Sequence, residues 1–296
     1  MKKTMVTPWN KIGISIKGVS SWSAAVKRTN LMWSVSKRQL CSFQNNKKVP
    51  TTAWGVFRDD TDDFLETVEA KTDILQNSSA FNFVDEFLKK IPGAEYDTAG
   101  SLFEGKCIFV ILKLPYTIKL APPPHELLHC YLMFQTTHDG SMRHMRHLKN
   151  NAKLMLVSLS GAILPLTISI NGNGISIIKQ IESIHRKLNA LFQKSIDDEM
   201  FDIVMKKIFG KNCYDSSKKK NQIELIKKWF DESSEKNAYT LLVTYLIWID
   251  QYRTTRKTKR MANLNDHQIQ IQSSIFYDGA VKKEKAFFKL IKLLNN

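Results

Sequence analysis

The chain has 296 residues, 43% of them hydrophobic, which is enough for a packed core and too apolar for a disordered chain. Lysine and arginine number 44 against 28 aspartate and glutamate, and the resulting charge of +16 points to a polyanionic partner, nucleic acid above all. Four widely spaced cysteines argue against a disulfide framework or a cysteine metal site, and no run approaches the roughly 20 apolar residues of a membrane helix.

In chain order, the N-terminus has lysines but no apolar segment of the signal-peptide kind, so a cytoplasmic location with reduced thiols is expected. Ser20–Leu31 reads as a first helix capped by Ser20 or Ser21, with Trp22, Ala25, Val26 and Leu31 near one face. Met32–Leu40 alternates apolar and polar residues, as a half-buried strand does. Asn45–Lys48 is a turn, and Ala53–Arg58 and Phe64–Ala70 are strands flanking the turn Asp59-Asp60-Thr61-Asp62-Asp63. Asn77-Ser78-Ser79 reads as the cap of a helix running through Phe81, Val84, Phe87, Leu88 and Ile91 to a stop at Pro92-Gly93. With the strands that follow from Glu95 to Leu114, this stretch predicts a small sheet with one helix laid across it.

Phe103–Lys106 is a turn and Cys107–Leu114 a continuous apolar strand. Prolines stiffen the loop around Ala121–Pro124; Leu127–Gln135 is another strand, and Asp139-Gly140 suits a tight turn. Leu154–Ile170 fits either a strand pair or a buried helix. From Ile175 the apolar period becomes helical, with further helices at Met200–Phe209, Gln222–Phe230, Tyr239–Tyr252 and Lys282–Leu294. The order is α+β: an N-terminal antiparallel β-sheet with packed helices over residues 1–170, then a mainly helical region over 171–296, the boundary falling near Asn171–Gly174.

Two segments concentrate positive charge: Met142–Lys149, carrying Arg143, Arg146 and Lys149, and Tyr252–Arg260, carrying Arg253, Arg256, Lys257 and Arg260. Such side chains neutralise phosphates, while Tyr252, Trp248, Trp33, Trp54 or Phe57 could stack a base. The competing reading is a solvated turn and the charge-favoured end of a helix. His138, His144 and His147 are close in sequence, but no convergent Cys, Asp or Glu completes a metal set, and no metal or cofactor is expected. Asp59, Asp60, Asp62 and Asp63 could serve a two-metal nuclease, yet aspartate is common in turns for conformational reasons. No nucleophile triad, phosphate-cradling glycine loop or zinc helix appears.

Several ordered pieces resemble a known family: Gly18-Val19-Ser20, Trp33-Ser34-Val35, Arg58-Asp59-Asp60, Gln76–Phe83, Thr98–Lys106 and Thr137–Ser141, with Asn237-Ala238-Tyr239, Asp250, Arg253, Ser273–Phe276, Gly279 and Lys285 toward the C-terminus. The set resembles the phage/plasmid-like protein family, domain of unknown function 932. The family's Val-Cys-x-Asn-Thr-Leu segment is replaced here by Leu148–Leu154, which lacks the cysteine. The resemblance implies a mobile-element setting and DNA metabolism, and gives no activity. The strand–hairpin–helix outline is similar to Rad-type single-strand annealing proteins at the level of fold analogy. The leading expectation is therefore a non-enzymatic protein that binds DNA, single-stranded DNA in recombination or replication, as a possible homo-oligomer and without a membrane partner. The alternatives are a metal-dependent nuclease or other hydrolase using Asp59, Asp60 and His138, and a phage protein that binds a host protein.

Overall fold

The structure, a computed structural model, describes residues 7–120, 126–138, 151–170, 174–253 and 265–294. It is α+β. Its strands are β1 (Ile14–Ser15), β2 (Val35–Gln44), β3 (Lys47–Arg58), β4 (Phe64–Val68), β5 (Glu95–Leu102), β6 (Cys107–Lys119), β7 (Leu127–Thr137), β8 (Asn151–Ser158) and β9 (Ile163–Ser169). The helices are α1 (Trp22–Arg28), α2 (Asn77–Ala80), α3 (Asn82–Lys89), α4 (Gly174–Gln193), α5 (Asp198–Phe209), α6 (Ser217–Glu232), α7 (Ala238–Gln251), α8 (Asp266–Phe276) and α9 (Asp278–Leu294).

The strands form two sheets, not the single one expected: a six-stranded sheet in the order β1-β5-β6-β7-β8-β9 and a three-stranded sheet β2-β3-β4. The separation follows from side-chain distribution. In β6, Cys107–Leu112 are all buried, the pattern of a strand covered on both faces. The three-stranded sheet instead buries only Val35, Val56, Leu65 and Val68, with Trp33, Trp54 and Ile74 packed against them, and this makes a small core of its own. Leu154–Ile170, undecided by its pattern, is the strand pair β8–β9.

The chain divides into two compact units that interleave in sequence. The first comprises residues 1–115, 131–154 and 167–177; the second comprises 116–130, 155–166 and 178–296. The boundary expected near Asn171–Gly174 falls mostly on residues outside the described set.

In the first unit, Trp22 of α1 meets Phe81 edge-on at 4.9 Å, and Phe83 of α3 meets Phe134 of β7 at 5.1 Å. The side chain of Asp85 accepts from the Trp22 backbone N–H at 2.8 Å and from the Tyr96 hydroxyl at 2.7 Å, which ties α1, α3 and β5 together. Asp97 is buried and accepts from the Trp9 indole at 2.9 Å.

In the second unit the predicted helices are present with side-chain caps from Asp197 and Asn237. Helix α8 was not foreseen; its signal is the reciprocal cap of Asn265 and Gln268, an N-x-x-Q start. Helix α7 is buried nearly all round, as its apolar composition predicts. Near its C-terminal end Asp250 is ion-paired with Lys283 of α9, whose side chain is 0% exposed. The Ser274 hydroxyl donates to Asp250, and Lys283 donates to Ser274 at 2.7 Å. Burial raises the pKa of Asp250 and lowers that of Lys283. Gly279 is required where α8 turns into α9, because a Cβ there would lie 2.8 Å from the Ser273 carbonyl oxygen.

Candidate functional site

Short sequence pieces far apart in the chain converge around Trp33 in the first unit. Asn77 does not cap its helix; Gln76 stands at that position and makes no side-chain cap. The Asn77 side chain is spent elsewhere, its amide donating to the Trp33 carbonyl at 3.1 Å while its oxygen faces His138 Nε2 at 2.9 Å. That oxygen can only accept, so Nε2 carries a proton. The preceding Gln76 copies a strand neighbour, donating to the Val35 carbonyl at 2.8 Å and accepting from the Val35 N–H at 3.0 Å. Both polar side chains were free to do this because the chain turns into α2 beside the start of β2, where backbone groups lack strand partners.

His138 is buried and packs edge-on to Trp33 at 5.5 Å. Its backbone N–H donates to the Lys106 carbonyl at 2.9 Å. The β5–β6 turn therefore joins the cluster, and it is strained. Phe103, Glu104 and Gly105 all have left-handed backbones, with φ of 53°, 59° and 98°. Only Gly105 adopts this conformation without penalty, and a Cβ at Gly105 would lie 2.9 Å from the Trp33 ring.

Arg58 also lies over Trp33, its guanidinium 4.3 Å from the ring centre. Arg58 also grips Asp60 with two bonds, of 3.0 and 2.7 Å. Arg38 repeats the arrangement one step away, stacked 4.9 Å from the Phe57 ring and paired with Asp62 at 2.7 Å. Lys37 sits 5.6 Å from the Trp54 ring. Side chains alternate along a strand, so Lys37 and Arg58 stand on one face of the three-stranded sheet and Arg38 on the other, each cation against an aromatic ring. The acidic turn neutralises the two arginines. Hydrogen bonds from Ser34 and Ser36, then Arg38, hold Asp59 below the usual carboxylate range, and Arg58 does the same to Asp60.

Beyond this sheet β2 and β3 continue as a two-stranded arm. A register irregularity between Gln39 and Cys41 precedes the arm, and β4 pairs no further along β3 than Trp54. The two-residue turn Asn45-Asn46 has both φ angles positive, which asparagine tolerates and a hairpin requires. Phe43 is 76% exposed, and Lys47 and Lys48 are exposed beside it.

The sequence-predicted site residues fall as follows. Arg143, Arg146 and Lys149, and Arg256, Lys257 and Arg260, lie outside the described residues. Arg253 lies in the second unit, paired with Asp278. Tyr252 packs on Trp229 at 4.6 Å, and Trp248 is buried. Asp59, Asp60 and His138 are each held by the partners described above. Among the described residues no three His, Cys, Asp or Glu side chains group as a metal site, and no helix is long and apolar enough to cross a membrane.

Lys37, Arg38, Lys47, Lys48 and Arg58 were missed by reading local density alone. The available signal was asymmetry: residues 1–58 contain eleven lysines and arginines and no aspartate or glutamate. Strands β2 and β3 and the arm beyond them inherit that imbalance.

Residues 64–145 match the family model described as a domain of unknown function (DUF932). The matched span holds Asn77, the strained turn and His138, whereas Trp33 and Arg58 precede it. No curated protein and no solved structure matches the chain.

Proposed function

We propose that this protein binds nucleic acid without catalysing a reaction on it, and that its ligand is single-stranded DNA during recombination or replication. The observation that carries this reading is the β2–β3 hairpin, where five cations and no carboxylate stand between Val35 and Arg58. Lys47 and Lys48 can neutralise phosphates at the arm, and the exposed Phe43 offers a stacking surface that tolerates any base. Arg38 and Arg58 are presented on aromatic rings with their forks already engaged by carboxylates, and phosphate oxygens match the same geometry. The setting that goes with this reading is a phage or plasmid element in the bacterial cytoplasm, the protein acting as a homo-oligomer.

Fluorescence anisotropy of a labelled single-stranded oligonucleotide over a salt series tests it. Wild-type affinity is expected to fall steeply with salt. In Lys47→Gln/Lys48→Gln the binding weakens, and the log–log slope shrinks by about 1.4, about 0.7 for each phosphate no longer neutralised. No binding near physiological salt, or a slope the double variant leaves unchanged, would overturn the proposal.

A further inference from the structure

The second unit has a cavity of about 530 Å³ whose lining includes Lys218, Lys219, Arg253, Lys282, Lys285 and Lys289, with Asp278 the only carboxylate among the described lining residues. We infer that this cavity binds an organic di- or triphosphate, with Arg253 seating one of its phosphates.

Arg253 is built into the wall. Its backbone N–H donates to the Trp248 carbonyl at 2.9 Å, and its side chain is only 14% exposed. One guanidinium nitrogen is paired with Asp278. The other, Nη1, is buried and has no partner among the described residues. A buried charged donor left unpaired is costly, and an incoming phosphate oxygen would satisfy it. Asp278 cannot do more: it also takes Lys282 at 3.1 Å. Burial disfavours its charged form, yet Lys282 and Arg253 together hold its pKa below the usual range. It stays a carboxylate and orients the arginine.

The remaining lysines divide into two kinds. Lys219 donates to the Phe209 carbonyl at 3.1 Å and Lys289 to the Lys207 carbonyl at 2.9 Å, so both close the C-terminal end of α5. Lys218 and Lys285 have no partner among the described residues. Lys218 and Lys219 also lie in the first turn of α6, where the helix dipole favours an anion. Phe209, Tyr245 and Trp248 pack on one another at 5.6–5.9 Å and supply an apolar wall for the organic portion. The volume falls within the range of about 300–1,000 Å³ usual for small-molecule sites. A cluster of this charge in so confined a space suits a compact polyanion better than a single phosphate.

Calorimetric titration of the full chain with inorganic tripolyphosphate and with a nucleoside triphosphate tests the inference. Both should bind the wild type. Lys218→Gln/Lys285→Gln, which breaks no internal pair, should weaken both by about tenfold or more. Arg253→Lys keeps the charge beside Asp278 but loses the fork, and should also weaken both. Lys47→Gln/Lys48→Gln should leave these affinities unchanged while weakening oligonucleotide binding, which separates this site from the arm. Absence of binding by either compound at millimolar concentration would overturn the inference, as would affinities the Lys218/Lys285 variant does not change. Displacement of tripolyphosphate by an oligonucleotide would overturn the assignment to a small molecule.

Discussion

The β2–β3 hairpin and the cavity beside α9 both concentrate positive charge, but they hold it differently. On the hairpin the arginines are stacked on rings and answered by carboxylates from the next turn, while the arm's lysines stand in water. Such pairs are individually weak and are screened by salt. Among the described residues lining the cavity six cations face one carboxylate, and Arg253 is fixed by burial. Screening reaches such groups less, so their unsatisfied donors matter more. The difference teaches that a composition bias becomes a site only where packing removes the freedom of the charges to disperse.

The sharpest way to break the comparison is to remove the buried ion pair of the second unit. Lys283→Ala leaves Asp250 buried without its cation, and a loss of about 3–5 kcal/mol in unfolding free energy is expected by urea denaturation. Asp250→Leu/Lys283→Met, which removes both charges at similar volume, should recover most of that loss. A single variant that costs under about 1 kcal/mol would show that the pair does not organise α7, α8 and α9.

A smaller effect is expected around Trp33. Asn77→Ala leaves the Trp33 carbonyl and His138 Nε2 without their partner and should cost about 1–3 kcal/mol. Its oligonucleotide affinity, measured below the transition, should drop because the β2–β3 base loosens, while tripolyphosphate binding is unchanged. Equal loss of both activities would mean that the variant unfolds the whole chain.

The smallest effect concerns pH. The pKa values of Asp59 and Asp60 are lowered in the folded state. Their contribution is therefore fully present above the ordinary aspartate value of 3.8 and is lost as pH falls through the lower folded values. The opening free energy of β2 and β3, read from amide-exchange protection factors, should be flat from neutral pH down to about that point, then show loosening of the turn at Asp59–Asp63. Arg38→Gln should make the acid loss smaller, because Asp59 then loses one of the donors that favour its charged form and its folded pKa moves back toward the ordinary value. A loss of unchanged size would show that the arginine is not coupled to the turn.

Local pattern carried the secondary structure well where one signal dominated. The buried strand at Cys107–Leu114, the helix at Tyr239–Tyr252 and the turn at Asn45–Lys48 are all legible from their own residues. Helix α8 was legible too, through its Asn265–Gln268 cap, but its polar interior hides the apolar period. Asn77 shows the opposite case. Its position fits a helix cap, and the neighbouring backbone of Trp33 claims it instead, from 44 residues away.

The sequence by itself determined the α+β order, the large cationic surplus and its acid-free start, because these depend on composition and on spacings within one segment. Only the tertiary structure decided that the strands part into two sheets, that Trp33, Asn77, Gly105 and His138 meet, and that Arg253 joins five lysines around one cavity. Those are contacts between residues distant in the chain. No local period encodes them, and they arise when apolar faces are buried and each polar group left inside must find a partner.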